Sequence, residues 1–278
     1  MPEKDEDREK KEFEALLVIF ERFINSIDSE MEYWEIMEEL MALRADFAIQ
    51  HAIEGFGMDW EAALEIIRTS DISGLSDEDQ NRREVLLAAI DNLVDFAVAE
   101  EYRMTLDMEE EIEDAEGDEE ELEIAMKVFK KYNSQYANVE NSDIKYAMMV
   151  AAGIIFIPKS TSLMYMTQGD ERVRPWHLQF EGFTAPKSDF PGWLVPPIEH
   201  QCRCYLVADG EVSGKMQDIQ NAISIPEIPD WFNPTFKESV AFGGRIFSDE
   251  HPYFQIEEAD IDKLQHIAES IKGKYLNG

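Results

Sequence analysis

The sequence predicts an α+β protein: an acidic helical N-terminal half, then a small sheet-containing and loop-rich unit, then a C-terminal helix. Three observations carry this. Apolar residues in the first hundred or so positions recur at intervals of three and four. From about residue 162 the texture changes to short alternating runs broken by Gly and Pro. The last stretch, from residue 257, returns to helical spacing.

Taken in order, Phe13, Leu16, Leu17, Phe20, Phe23, Ile24 and Ile27 mark the apolar face of a first helix. Asp28 or Ser29 suits the cap of a second, with Trp34, Met37, Leu40 and Met41 inward and Gly55 and Gly57 at its end. A short helix over 60–67 follows. Ser76, with Asp79 three residues on, then caps a helix whose buried face is Leu86, Ile90, Leu93, Val94 and Ala97. Residues 107–123, "DMEEEIEDAEGDEEELE", are mostly carboxylates that repel one another and stay solvated, which predicts an exposed connector. Helical spacing resumes over 122–132 and 143–156 until Pro158. "SLMYMTQ" and "QCRCYLVA" read as strands, and Ile261, Leu264, Ile267 and Ile271 line a final helix that Gly273 is expected to stop. The expected division is an acidic helical domain over 1–106, an acidic linker over 107–123, and a second domain over 124–278.

Composition bounds the function. Hydrophobic residues make up 44% of the 278, with 16 Phe, 13 Met and 5 Trp, enough for a packed core despite a net charge of −35. A pI near 4.3 argues against partners bound through phosphates, whether nucleic acid or an anionic membrane. The N-terminus lacks the apolar core of a signal peptide, and the longest apolar run, 147–157, is too short to span a bilayer. These features lead to the expectation of a soluble, intracellular protein. Two cysteines one residue apart do not form a disulfide framework. The sequence shows no internal repeat, phosphate-cradling glycine loop or nucleophile elbow.

Two polar clusters stand out. Residues 169–183, "GDERVRPWHLQFEGF", follow a turn; residues 196–207, "PPIEHQCRCYLV", hold both cysteines. Between 158 and 207 charge is balanced, unlike the acidic helices. If 201–207 is a strand, Cys202, Cys204 and Leu206 share a face and Arg203 takes the other. Two thiols with His177 and His200 suffice for a structural zinc site (His177, His200, Cys202, Cys204). Leu206 in phase marks the same face as core, which suits buried thiols without metal. Arg203 needs an anionic partner, for which Asp170 and Glu171 are available. Asp170, Glu171, Arg172, Arg174, His177 and Arg203 therefore read as a structural network bracing the fold. The competing reading gives Glu171 or His177 the role of general base in a metal-assisted hydrolase or nuclease. Trp176, Phe180, Phe183, Phe190 and Trp193 are expected to cover the sheet.

In this order and spacing the clusters resemble the phage Mu F-like family of minor head proteins, or phage head morphogenesis proteins. The resemblance rests on Asp170, Glu171, Arg172, Val173, Arg174 and His177, a turn at "FEG", an aromatic stretch at "FPGWLV", and Pro196, Pro197, His200, Cys202, Arg203 and Cys204. "FNP" at 232–234 also fits. It covers about 160–207, with weaker support to about 254; the first 130 residues have no counterpart in it. The resemblance implies a structural, non-catalytic component of a tailed-phage virion, lying inside the head and associated with portal and capsid proteins, with host cytoplasm as its place during assembly. An acidic module that holds a basic protein partner is the remaining alternative, and it rests on charge alone.

Overall fold

The computed structural model describes residues 2–25, 30–113, 115–208 and 226–277. Its helices are α1 (Pro2–Asn25), α2 (Glu30–Gly55), α3 (Trp60–Arg68), α4 (Asp77–Ile112), α5 (Asp118–Lys130), α6 (Ala137–Ile154) and α7 (Ile261–Leu276). Three antiparallel strands, β1 (Ser162–Met166), β2 (Thr184–Pro186) and β3 (Tyr205–Ala208), form one sheet in the order β2-β1-β3. Mostly helical N-terminal half, small sheet with loops and C-terminal helix are thus all present. Asp28 and Ser29, the expected caps of α2, lie outside the described residues. Among the described residues no helix is long and apolar enough to cross a membrane.

The chain forms two compact units that interleave along the sequence: residues 1–51, 90–142 and 251–278 in one, 52–89 and 143–250 in the other. This grouping differs from the expected division at 106 and 123. The acidic stretch is not a linker, because α4 runs on to Ile112 and α5 starts at Asp118. Its carboxylates are indeed mostly exposed, but Met108 is buried, and Asp107 accepts hydrogen bonds from Tyr132 Oη and Arg103 Nε, both at 2.7 Å. Charge density alone does not reveal that the helical period continues beneath it. The C-terminal helix, expected in the second domain, belongs to the first unit.

In the first unit, Phe20 stacks on Phe129 with ring centroids 4.2 Å apart, and Phe13 lies against the same ring. Lys272 of α7 pairs with Asp91 and Asp95 of α4 at 2.6 and 2.7 Å. Helix α7 passes through Gly273 rather than ending there, because Tyr275 beyond it is buried and hydrogen-bonded to Asp46. At the centre of the unit sits Arg44, 1% exposed, paired with Glu100 at 2.8 Å and Glu140 at 3.1 Å, and donating to Asn141 Oδ1 at 3.0 Å. Glu100, Glu101 and Glu140 are also buried, so three carboxylates share one guanidinium. Burial raises Glu100 well above the usual carboxylate range, and raises Glu101 to about 7, against the pull of Arg44. The upward shifts of Glu100 and Glu101 favour their protonated forms, which reduces the excess negative charge around Arg44.

In the second unit, Ser76 caps α4 as expected: its Oγ accepts from the Asp79 backbone N–H at 3.1 Å and donates to the Asp79 carboxylate at 2.8 Å. A side chain at Gly55 would bring its Cβ to 2.2 Å from the Lys145 carbonyl oxygen, so glycine here permits α2 and α6 to approach closely. Strand β1 is the sheet's centre, pairing Leu163 with Ala185 on one side and Ala208 on the other. Phe180, Phe183, Phe190 and Trp193 are buried beside it as expected; Trp176 is 42% exposed and does not cover the sheet.

The buried carboxylates set a pH dependence. A group whose folded pKa lies above its unfolded value binds its proton more tightly in the native state, so stability is lost as pH rises from about 4.5 towards about 7. Burial works to raise Glu12 and Asp107 too, but hydrogen bonds outweigh it, from His51 and Arg8 for Glu12 and from Tyr132 and Arg103 for Asp107. Both are held below the ordinary range, so they oppose the trend only at lower pH. The melting temperature is therefore expected to rise as pH falls from 7 to 5, and Glu101→Gln is expected to flatten that rise; an unchanged slope in the variant contradicts the assignment.

Candidate functional site

The two polar clusters meet in the second unit, and His177 is where they meet. It follows a turn in which Asp170 Oδ1 accepts from the Arg172 backbone N–H at 3.1 Å, and precedes the short 3-10 turn Leu178–Phe180. The ring is 1% exposed. His177 Nε2 lies 3.0 Å from Glu199 Oε2, and Nδ1 lies 3.4 Å from Cys204 Sγ and 3.8 Å from Cys202 Sγ. A carboxylate only accepts, so in the neutral ring Nε2 carries the proton and Nδ1 turns its lone pair to the two sulfurs.

Glu199 gathers the first cluster onto the second. The same Oε2 accepts from Trp176 Nε1 at 3.1 Å and lies 3.2 Å from Arg174 Nε. Arg174 Nη2 also donates to the His200 carbonyl at 2.7 Å. Three donor side chains within four residues of one loop thus converge on the segment that precedes the cysteines.

That segment is pinned from other sides as well. Asp143, on α6 and 1% exposed, accepts from the Gln201 backbone N–H at 2.7 Å and pairs with His200 Nδ1 at 2.9 Å. Burial raises the Asp143 carboxyl above its usual value, with His200 acting in the other direction. Gln201 has φ of 57°, a left-handed conformation uncommon for a residue with a side chain, and the Asp143 contacts hold it there. Tyr146 Oη donates to the Cys204 carbonyl at 2.7 Å, and Gln168 Nε2 to the Arg203 carbonyl at 3.0 Å.

The cysteines precede β3 rather than lying on it, since the strand starts at Tyr205. Their alternation nevertheless survives: Cys202 and Cys204 are each 3% exposed and neither is in a disulfide, while Arg203 between them reaches outward. Leu206 is only half-buried, so burial of the thiols comes from the turn and not from a shared strand face. The hydrogen bond between the two thiols raises Cys202 and lowers Cys204; burial also raises Cys202. The buried Tyr165 hydroxyl, which has no hydrogen bond of good geometry, lies on the Cys204 side and further favours its thiolate.

Several expected site residues sit elsewhere. Arg203 does pair with Asp170, through two 2.9 Å hydrogen bonds, but the pair faces solvent, with side chains 35% and 42% exposed. The expected anionic partner is present, and the pair is solvated because Arg203 precedes the short β3 on its open side. Glu171 and Arg172 are exposed and stand apart from the contacts around Glu199 and His177. His200 is not a fourth ligand: its Nδ1 is taken by Asp143 and its ring lies edge-on to Phe236. Among the described residues the one group able to hold a metal is His177, Cys202 and Cys204, whose ligand atoms all lie within 4.8 Å of one another. Glu199 and Asp143 were missing from the expected network. Glu199 was discoverable as the carboxylate of the second cluster, facing a first cluster rich in donors; nothing in the sequence points to Asp143.

A cavity of about 20 Å³ adjoins the thiols, lined among others by Arg172, Arg174, His177, Cys202 and Cys204. It has room for about one water. A second, more open cavity of about 940 Å³ is lined by residues such as Phe156, Lys159, Lys187 and Phe242, and by none of the expected site residues. Lys187 Nζ there is engaged by the carbonyls of Ile154, Ile155 and Ile157 at 2.7–3.0 Å, leaving it no free role.

The contrast between the inner and outer ties is testable in urea melts. Asp143→Ala is expected to destabilise the protein by about 1–3 kcal/mol, through two lost hydrogen bonds at a buried carboxylate. Asp170→Ala and Arg203→Ala are expected to leave the midpoint essentially unchanged, as solvated pairs do. The reverse order contradicts the geometry. Comparison with family models, with curated proteins and with solved structures gives no match, so the reading of the site rests on its own atoms.

Proposed function

We propose that this chain is a structural, non-catalytic minor component of a tailed-phage head, associated with portal and capsid proteins and acting in head assembly or DNA delivery. The observation that supports this most is the convergence at His177 of the two motifs that carry the Mu F-like resemblance. The first motif's Arg174 and His177, with Trp176 between them, meet Glu199, which lies inside the second motif's segment without being one of its residues, and His177 also meets both cysteines of the second motif. Motifs that fold into one knot are bracing elements, and a braced, loop-rich unit suits a part that must survive assembly.

Surface chemistry supports the same reading. With a net charge of −35, the chain is repelled by packaged DNA and attracted to basic protein surfaces. Trp176 and Trp231, 42% and 40% exposed with ring centroids 6.4 Å apart, add an aromatic patch of the sort protein interfaces use. A hydrolase or nuclease built on the same clusters needs Glu171, His177 and the arginines to converge on an open cleft. Glu171 is exposed outside the knot, and the space beside His177 holds about one water.

Quantitative mass spectrometry of purified heads from a phage that encodes the chain tests the proposal. The chain is expected in the particle with the portal protein, at a copy number far below that of the major capsid protein. Absence from heads and from portal complexes, with the chain remaining in the soluble host fraction, overturns it.

A further inference from the structure

We propose that His177 Nδ1 and the thiolates of Cys202 and Cys204 form a zinc site, with a single solvent molecule from the adjoining cavity as fourth ligand. The inference is independent of the assembly role and rests on the site's geometry.

Four features converge. First, the spacing fits. Zn–S and Zn–N bonds of about 2.3 and 2.0–2.1 Å set ligand atoms of a tetrahedron about 3.5–3.8 Å apart. The sulfurs of Cys204 and Cys202 lie 3.4 and 3.8 Å from His177 Nδ1. Second, the imidazole is oriented for a metal. Glu199 takes the Nε2 proton and leaves the Nδ1 lone pair towards the thiols, the carboxylate–histidine–metal arrangement that orients ligating histidines elsewhere. Third, the ligands are held in place before any ion arrives. The Cys204 carbonyl is tied by Tyr146 and the Gln201 N–H by Asp143, one on each side of the turn. Fourth, a cavity of about 20 Å³ touches all three ligands and has room for one water.

The donor set selects the ion. Two thiolates and one imidazole favour zinc over calcium or magnesium, which take oxygen ligands. On binding, the two S–H bonds give up their protons to solvent and two Zn–S bonds form; the metal stays divalent and no electron is transferred. The loaded site is neutral, which suits ligands that are 1–3% exposed. This set differs from the four-ligand one expected from composition, because His200 is replaced by solvent.

The full chain, produced with zinc present and then passed through gel filtration, is expected to retain one zinc per chain by elemental mass spectrometry. Cobalt(II) added to the metal-free chain is expected to give a thiolate-to-cobalt charge-transfer band and intense visible bands of a tetrahedral centre, saturating at one equivalent. His200→Gln is expected to keep both the stoichiometry and the spectrum. Glu199→Gln, which leaves every ligand in place, is expected to weaken zinc binding by about 10–100-fold. Cys202→Ser and Cys204→Ser are expected to abolish the charge-transfer band or shift it strongly. No retained zinc together with no charge-transfer band in the unaltered chain overturns the proposal, and that result does not depend on how any variant folds. Loss of binding in His200→Gln with native far-ultraviolet circular dichroism overturns the three-ligand assignment.

Discussion

The carboxylate of Glu199 is the constraint on which the second unit turns. One of its oxygens meets the His177 ring nitrogen, the Trp176 indole and the Arg174 guanidinium. Without that acceptor, a buried imidazole N–H would have no partner and the loop at 170–180 would have no reason to sit against the cysteines. With it, the imidazole has one orientation and one tautomer, and its second nitrogen is committed to the sulfurs. The sheet supplies the platform. Strand β1 ends just before the loop that carries His177, β3 starts just after Cys204, and the two strands pair at Met166 and Tyr205. Loop and turn therefore leave the sheet side by side.

The first unit depends on a different compromise. A protein this acidic places few of its cations inside, yet Arg44 is buried among Glu100, Glu101 and Glu140. Charge does not balance there unless protons are retained, and the raised carboxyls are how the helices tolerate it. Replacement of such a cluster by apolar side chains is often neutral or stabilising in other proteins, whereas removal of one partner alone leaves a buried charge uncompensated. Aromatic packing around Phe20 and Phe129, and the lysine of α7 between Asp91 and Asp95, add ties that depend less on pH.

Much of the fold was legible because it depends on local chemistry. The Ser76 cap, the strand at "SLMYM", the covering aromatics Phe180, Phe183, Phe190 and Trp193, and the face of the last helix all follow from spacing that a chain cannot hide. The misreadings share one cause: sequence shows which groups need partners, but not how deep they lie. The pairing of Arg203 with Asp170 is legible in the sequence, but its exposure to solvent is not. His200 was matched to the cysteines on the grounds of chemistry, whereas an aspartate 57 positions away holds it. Residues 107–123 looked like a solvated tether because their charge masked apolar Met108 and the partners of Asp107. The interleaving of the two units was out of reach, since it depends on which long helix packs on which.

The most direct test of the central claim is the protonation pattern of the His177 ring, read by two-bond nitrogen–proton correlation NMR on the metal-free chain. A ring clamped by Glu199 shows the proton on Nε2 alone, with Nδ1 unprotonated and facing the thiols. A proton on Nδ1, or rapid averaging of the two tautomers as in a solvated histidine, would mean that the two motifs do not grip each other as described.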